Sequence, residues 1–248
     1  MKFLLPSKIP QFDFQFQLIA SQDYWTNFKH NPLEIVYCDE YVNFEEAYKH
    51  GRFNDHCPVG SIEFCNKHGI NTIPRNIPIS LKEYAVGTVT NDITDRMLDG
   101  INKWHVKSNS VIKHPDNGIY SLYNLPPFNN YQAVEFIEDG FESEYRVFVL
   151  DGNIVDIQNY AGDLWTLPDK YTVEKMIYQF EHTKGESVPP AYTLDVGVYL
   201  NKTYIVELHD FYSCGTYNFN DHYRFPMMLW VWWNWYRRKY NYDVNPLV

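Results

Sequence analysis

The chain is poor in cysteine. It has four in 248 residues (Cys38, Cys57, Cys65 and Cys214), and no two form a Cys-x-x-Cys pair. Nothing in that pattern suggests a disulfide framework, and free thiols fit a reducing cytosol. His56, Cys57, Cys65 and His68 carry zinc-type donors, but their spacing matches no common zinc module. Positive charge is also short, with 21 Lys and Arg against 31 Asp and Glu, a net charge of −10. Phosphate contacts dominate nucleic-acid affinity, so no nucleic-acid partner is expected. The one dense basic run, Arg237-Arg238-Lys239, reads as a solvated helix face. Long apolar runs are missing too. Met1–Ile9 lacks the apolar stretch of a signal peptide. Met227–Tyr236 is apolar, but Asn234 interrupts it and Arg237 ends it, too short to span a bilayer. It is expected to be a buried C-terminal helix rather than an interfacial one. There is no internal repeat and no low-complexity tract.

What the chain does have is enough length for one large or two small domains. Aromatic residues reach 18%, and Tyr and Trp suit cores that border pockets. Residues 34–38 read as a buried strand and 43–50 as a helix with Asn43 as its N-cap. Gly60-Ser61 reads as a turn into a helix over 62–68, capped by Ser61 and ended by Gly69. This alternation predicts a small α/β unit. Pro74 to Pro78 reads as a linker. A second domain opens with a helix over 92–103, then strands at 104–107, 118–123 and 132–137. A long strand, 144–150, meets Asp151-Gly152, a strong hairpin turn signal, and 154–160 returns from it. A helix over 171–182 and a loop over 185–190 follow. A hairpin spans 194–208, and a helix starts around Pro226.

The last hairpin carries two acids. If its loop is Leu200-Asn201-Lys202, Tyr199 faces Thr203, and the apolar residues Leu194, Val196, Val198, Tyr204, Val206 and Leu208 share one face. A loop of Asn201-Lys202 alone would scatter that face, and a one-residue slip flips every side chain. The first register places Asp195 opposite Glu207, with Cβ atoms roughly 4.5–5.5 Å apart. Two carboxylates that close call for a cation or a proton between them, unless they form only a solvated acidic face.

These residues resemble the end of the nucleotide site in ATP-grasp enzymes. There an Asp lies about a dozen residues before Glu-x-Asn; here Asp195 precedes Glu207-Leu208-His209 by 12 residues. Asp210 to Tyr217 resembles the small-residue turn that follows, in a branch of ATP-grasp domain proteins found in phages and bacteria. His105-Val106-Lys107 resembles the strand lysine that reaches the ATP phosphates. Val134-Glu135-Phe136-Ile137 resembles the hinge strand that reads adenine. Ser143 to Val149 followed by Asp151-Gly152 resembles the strand after the hinge, and Gly60-Ser61 with Phe64 resembles a motif of that branch's N-terminal domain. The motifs fall in the expected order over roughly residues 60 to 220. His209 stands where most members have Asn, and the glycine-rich flap between lysine and hinge is thin, with Gly118 among Ser108, Asn109, Ser110 and Asn117.

The resemblance implies an α+β ATP-grasp fold, with a small α/β N-terminal domain over 1–86 and an ATP-grasp domain over 87–248. It implies an ATP-dependent carboxylate–amine (or carboxylate–nucleophile) ligase acting through an acylphosphate. The alternative is a catalytically inactive nucleotide- or protein-binding module on the same scaffold, with Trp230, Trp232, Trp233 and Trp235 as a docking surface. Lys107 and Lys113 would hold phosphate, and Glu135, Phe136, Ile137 and Glu144 would bind the nucleoside. Asp195, Glu207 and His209 would hold Mg²⁺. Because an imidazole is a poor Mg²⁺ ligand, either Asp210 takes over, or His209 contacts phosphate, or the ion is Mn²⁺. Arg146 would neutralise the acylphosphate, with Lys107 beside it in catalysis. Ser213, Gly215 and Tyr217 would bind the substrate end. A cytoplasmic location is expected, in a host cell if the chain is phage-encoded.

Overall fold

A computed structural model of the chain describes residues 1–29, 32–72, 75–94, 103–110, 115–121, 123–185 and 187–240. Lys113, Pro74 and most of the helix expected over 92–103 lie outside these residues. In chain order the elements are β1 (Lys2–Leu5), α1 (Asp13–Phe28), β2 (Glu34–Tyr37), α2 (Phe44–Lys49), β3 (Cys57–Pro58), α3 (Ile62–Lys67), β4 (Val89–Thr90), β5 (Trp104–Ser108), β6 (Gly118–Tyr120), β7 (Tyr131–Glu135), β8 (Ser143–Leu150), β9 (Asn153–Gly162), α4 (Lys170–His182), β10 (Ala191–Tyr199), β11 (Lys202–Asp210) and α5 (Arg224–Lys239). The fold is α+β. The described chain forms two compact units: Met1–Asn71 with Pro189–Tyr192 and Asp210–Val248, and Thr72–Val188 with Thr193–His209.

The first unit is built on a parallel sheet of order β2-β1-β3. Ser61 caps α3 as expected, its Oγ accepting from Phe64 N–H at 3.1 Å, and Gly69 leaves the helix at φ +89°. Asn43 occupies the N-cap of α2, but its side chain makes no capping bond there. Helix α5 buries Phe225, Met228, Leu229, Trp232, Trp233 and Tyr236, a stripe at helical spacing. Trp232 stacks on Tyr212 with ring centroids 5.1 Å apart, and Trp230 meets Phe3 edge-on at 6.1 Å. Trp232 and Trp233 are therefore core residues, as expected of a buried C-terminal helix, while Trp230 and Trp235 are half-buried. The helix begins at Arg224, which puts Pro226 in its first turn, where a missing N–H costs nothing. Among the described residues no helix is long and apolar enough to cross a membrane. Three elements here went unread in the sequence: β1, α1 and β3.

The second unit holds two four-stranded sheets, β4-β7-β5-β6 and β11-β10-β8-β9. Asp151 and Gly152, at φ +47° and +72°, turn β8 into β9 as the dipeptide predicts. Asp169 caps α4, accepting from Thr172 N–H at 2.8 Å, and α4 buries Val173, Met176, Ile177 and Phe180. The expected linker is not free. Gln132 of β7 both accepts from Ile77 N–H (2.8 Å) and donates to Ile77 O (2.9 Å), while Asn76 O accepts from Leu208 N–H of β11 (2.7 Å). Asn76–Ile77 is thus a strap bonded to both sheets.

The β10–β11 turn differs from both expected registers. It consists of Leu200 and Asn201 alone, at φ +49° and +59°, and Lys202 already belongs to β11. Two successive left-handed residues make a turn whose twist matches that of the strands. Counted from this turn, Asp195 would face Val206. Along β11, however, burial changes phase: Thr203 and Ile205 are buried, then Leu208 and Asp210. Asp195 and Glu207 nevertheless lie close enough for their charges to act on each other.

Candidate functional site

Two ion pairs sit together in the second unit. Arg146 on β8 forks onto Asp195 on β10, with Nε donating to Oδ1 at 2.8 Å and Nη2 to Oδ2 at 2.7 Å. Both side chains are buried, 8% and 4% exposed. The planar guanidinium matches a carboxylate in this way and lysine does not. Lys107 on β5 donates to Glu207 Oε2 on β11 at 2.5 Å, and these side chains are 23% and 27% exposed. This pair joins the two sheets of the unit.

The two pairs act on each other. Burial pushes the Asp195 carboxyl up; Arg146 pulls it down, Glu207 raises it, His209 lowers it, and it ends above its ordinary value. Burial also pushes Glu207 up, but the charge and hydrogen bond of Lys107, with His209 and Arg146, prevail and bring it to about 2. Glu207 is thus held ionised by the cations around it. His209 belongs to the same electrostatic neighbourhood as both acids.

A third polar contact was not foreseen. Tyr160 of β9 donates from Oη to Glu144 Oε2 at 2.7 Å. Burial, then the charges of Asp195 and Glu144, the hydrogen bond to Glu144 and the charge of Glu207 push its phenol far above the ordinary value. The register of β8 and β9 passes from Tyr145 opposite Asn159 to Glu144 opposite Ala161, so Tyr160 is the extra residue of a bulge. No counting of alternating residues in the sequence reveals such an offset.

Beside these groups lies a cavity of about 240 Å³ between the sheets. Lys107, Glu135, Phe136, Ile137, Glu144 and Val206 are among its walls, so the expected hinge residues do surround one space. Glu135 Oε2 accepts from Thr88 N–H at 3.3 Å. Gly87 permits that approach, since a Cβ there would lie 2.3 Å from the same oxygen. Gly197 likewise lets the Phe141 ring lie on β10, at 2.4 Å from a hypothetical Cβ.

Ser213, Gly215 and Tyr217 belong to the first unit. There Asp13, in the first turn of α1, accepts from Thr216 N–H (2.6 Å), Thr216 Oγ1 (2.8 Å) and Tyr217 N–H (3.1 Å). Ser213 and Tyr217 take φ of +49° and +48° in that turn. The zinc-type donors are used otherwise: His56 meets Asp55 at 2.9 Å and Glu34 at 3.2 Å, while Cys57 and Cys65 are buried.

For a polyphosphate the second unit offers Lys107 in the cavity wall, with Arg146 in the same charged cluster. It offers no closed metal cage: among the described residues, no three or more His, Cys, Asp and Glu side chains are grouped to hold an ion. Asp195, Glu207 and His209 therefore do not form the expected three-ligand set by themselves, because Arg146 and Lys107 already occupy the two acids. Mg²⁺ commonly relies on one or two carboxylates plus substrate phosphates and keeps several waters. Two carboxylates beside two cations fit an ion that arrives with its phosphates.

Residues 134–224 match the family described as "ATP-grasp domain, R2K clade family 2". No curated protein matches the chain. Among solved structures, D-alanine–D-alanine ligase from Bacillus anthracis, complexed with ATP, is 12% identical over 97% of this chain and 98% of that one, with a TM-score of 0.49. A RimK domain protein ATP-grasp from Sphaerobacter thermophilus is 10% identical over 93% and 96%, with a TM-score of 0.48. C-terminally truncated Cdc123 from Schizosaccharomyces pombe is 10% identical over 38% of this chain, with a TM-score of 0.26, and the chain spans only 39% of its length. Every TM-score is below 0.5, so nothing further rests on these likenesses. Glu144, Arg146, Asp195, Glu207 and His209 lie within the segment that matches the ATP-grasp family, while the Lys107 and Gly60 motifs lie outside it.

Proposed function

We propose that the second unit binds ATP between its sheets, and that the chain is an ATP-dependent ligase joining a carboxylate to an amine or another nucleophile. The observation that carries this reading is the Lys107–Glu207 pair near Arg146–Asp195, with Lys107 in the wall of a cavity lined by the hinge residues. In the proposed assignment the ATP-grasp domain covers 87–248, and 1–86 is its N-terminal companion.

The base occupies the cavity against Glu135, Phe136 and Ile137, and Glu144 meets the ribose. Lys107 is the more exposed of the two cations and exchanges Glu207 for phosphate oxygens. Lys113, outside the described residues, is assigned the same work. Arg146 faces the phosphoryl group in transfer, where its fork matches phosphate and acylphosphate alike. Asp195 and Glu207, with His209 beside them, would hold Mg²⁺ or Mn²⁺, whose chemistry is to neutralise the phosphate oxygens. Ser213, Gly215 and Tyr217 are assigned to the acceptor. In the proposed reaction a carboxylate oxygen takes the γ-phosphoryl group from ATP, releasing ADP. The nucleophile then attacks the acyl carbon, releasing phosphate and a proton. The protein contributes position and charge rather than covalent chemistry.

The test is a pair of assays on the full chain. Thermal unfolding with ATP and Mg²⁺ is expected to move upward with the logarithm of ATP concentration. ADP is expected to form when a pool of amino acids supplies acid and amine. A thermal shift without ADP would favour the inactive nucleotide-binding module. No shift and no ADP would overturn the assignment.

A further inference from the structure

We infer that Tyr160 is a positioning residue for the nucleotide: its hydroxyl holds one oxygen of Glu144, so that the other oxygen is left for a ribose hydroxyl. The inference deepens the ATP reading above and rests on it.

Three observations converge. Tyr160 Oη donates to Glu144 Oε2 at 2.7 Å, a charge-assisted bond to one oxygen only. Glu144 lines the cavity, so its carboxylate is fixed at a wall where a ligand would sit. Tyr160 is also the extra residue of the β9 bulge, and bulges recur where a strand must re-aim a side chain.

The bulge is itself fastened. Asn159 Nδ2 donates to Glu144 O at 3.2 Å and to Ala161 O at 3.0 Å, closing the backbone around the extra residue. Just beyond it Gly162 takes φ +72°, and a Cβ there would meet Glu142 O at 2.3 Å. Such a left-handed, crowded position accepts only glycine without strain. The local sequence Asn159-Tyr160-Ala161-Gly162 is thus built to present one phenol. A carboxylate free to rotate would spread its lone pairs over many directions; with one oxygen tethered, the second is pre-organised.

The experiment compares the affinities of ATP and 2′,3′-dideoxy-ATP for the full chain, the Tyr160→Phe variant, the Glu144→Gln variant and the double variant, by titration calorimetry. The unmodified chain is expected to favour ATP. Tyr160→Phe should weaken ATP roughly tenfold, the loss of one hydrogen bond to a charged group, and leave the dideoxy nucleotide unchanged. In the Glu144→Gln background it should have no further effect. Asn159→Ala, which loosens the bulge, should shift the ratio in the same direction, and it serves as the test should Tyr160→Phe not fold. Equal weakening of both nucleotides, or an unchanged ratio in Tyr160→Phe, would overturn the role of Tyr160 while leaving ATP binding intact. If the unmodified chain binds neither nucleotide, the ATP reading falls and this inference with it.

Discussion

In the first unit His68 lies against the rings of Phe44, Tyr48 and Phe64, with centroids 5.9, 4.7 and 4.4 Å away. Burial, helped by Lys67, brings its imidazole down to about 4, so it is neutral near pH 7. Burial pushes the Cys65 thiol up to about 12. In the second unit Arg146, Asp195, Lys107 and Glu207 are set close together, and each cation meets an acid. The first unit holds His68 neutral and the Cys65 thiol protonated, and the second sets charged pairs beside a cavity. Desolvated charge is costly unless partnered, and pairing costs less when a ligand of matching charge completes the site. On that contrast rests our proposal that ATP binds in the second unit.

Removing one partner of the buried fork is the strongest way to break the contrast. Arg146→Leu strands Asp195, and chemical denaturation should show a loss of about 3–5 kcal/mol. Lys107→Ala should behave differently. Its pair is partly exposed, so stability should fall by about 1 kcal/mol or less, while ATP turnover should fall roughly a hundredfold or more, the scale of losing a group that stabilises developing charge.

Acid separates the units by pH window. His68 titrates near 6.5 when unfolded and near 4 when folded. The unfolded state therefore binds more protons between these values, and stability should decline as pH falls from 6.5 toward 4. Glu207, lowered from 4.5 to about 2, gives stability that is present above 4.5 and lost as pH falls through 2. His68→Phe should flatten the first window in thermal melts, and Glu207→Gln the second. The smallest effect concerns thiols. Cys65 should resist iodoacetamide at pH 8 in the folded chain and react on unfolding, since only the thiolate is nucleophilic.

Much of the second unit was legible because its signals are local. Asp151-Gly152 announces its hairpin by backbone chemistry alone, and Lys107, Asp195 and Glu207 stand at recognisable spacings. What stayed hidden involved offsets. Leu200 in a left-handed turn is an unusual choice, so the β10–β11 turn was read one residue too long. Asp195 and Glu207 nonetheless act on each other's charge, as their spacing suggested. Tyr160 escaped because it sits in a bulge, where alternation fails. In the first unit α1 was missed because Phe12, Phe14 and Phe16 alternate with Asp13, Gln15 and Gln17, a period of two that masks the buried helical set Phe14, Leu18, Ser21 and Trp25. The pairing of Arg146 with Asp195 also lay beyond the sequence, because 49 residues separate partners that only the sheet order joins.

The central claim is that the charged second unit is a nucleotide site whose exposed cation yields to phosphate. It is tested most directly by calorimetric titration of ATP with Mg²⁺ into the full chain and into Lys107→Ala, with folding checked in both. The account predicts saturable binding to the unmodified chain and a loss of roughly tenfold or more in the variant. Equal affinity in the two proteins, or no binding to either, would contradict it.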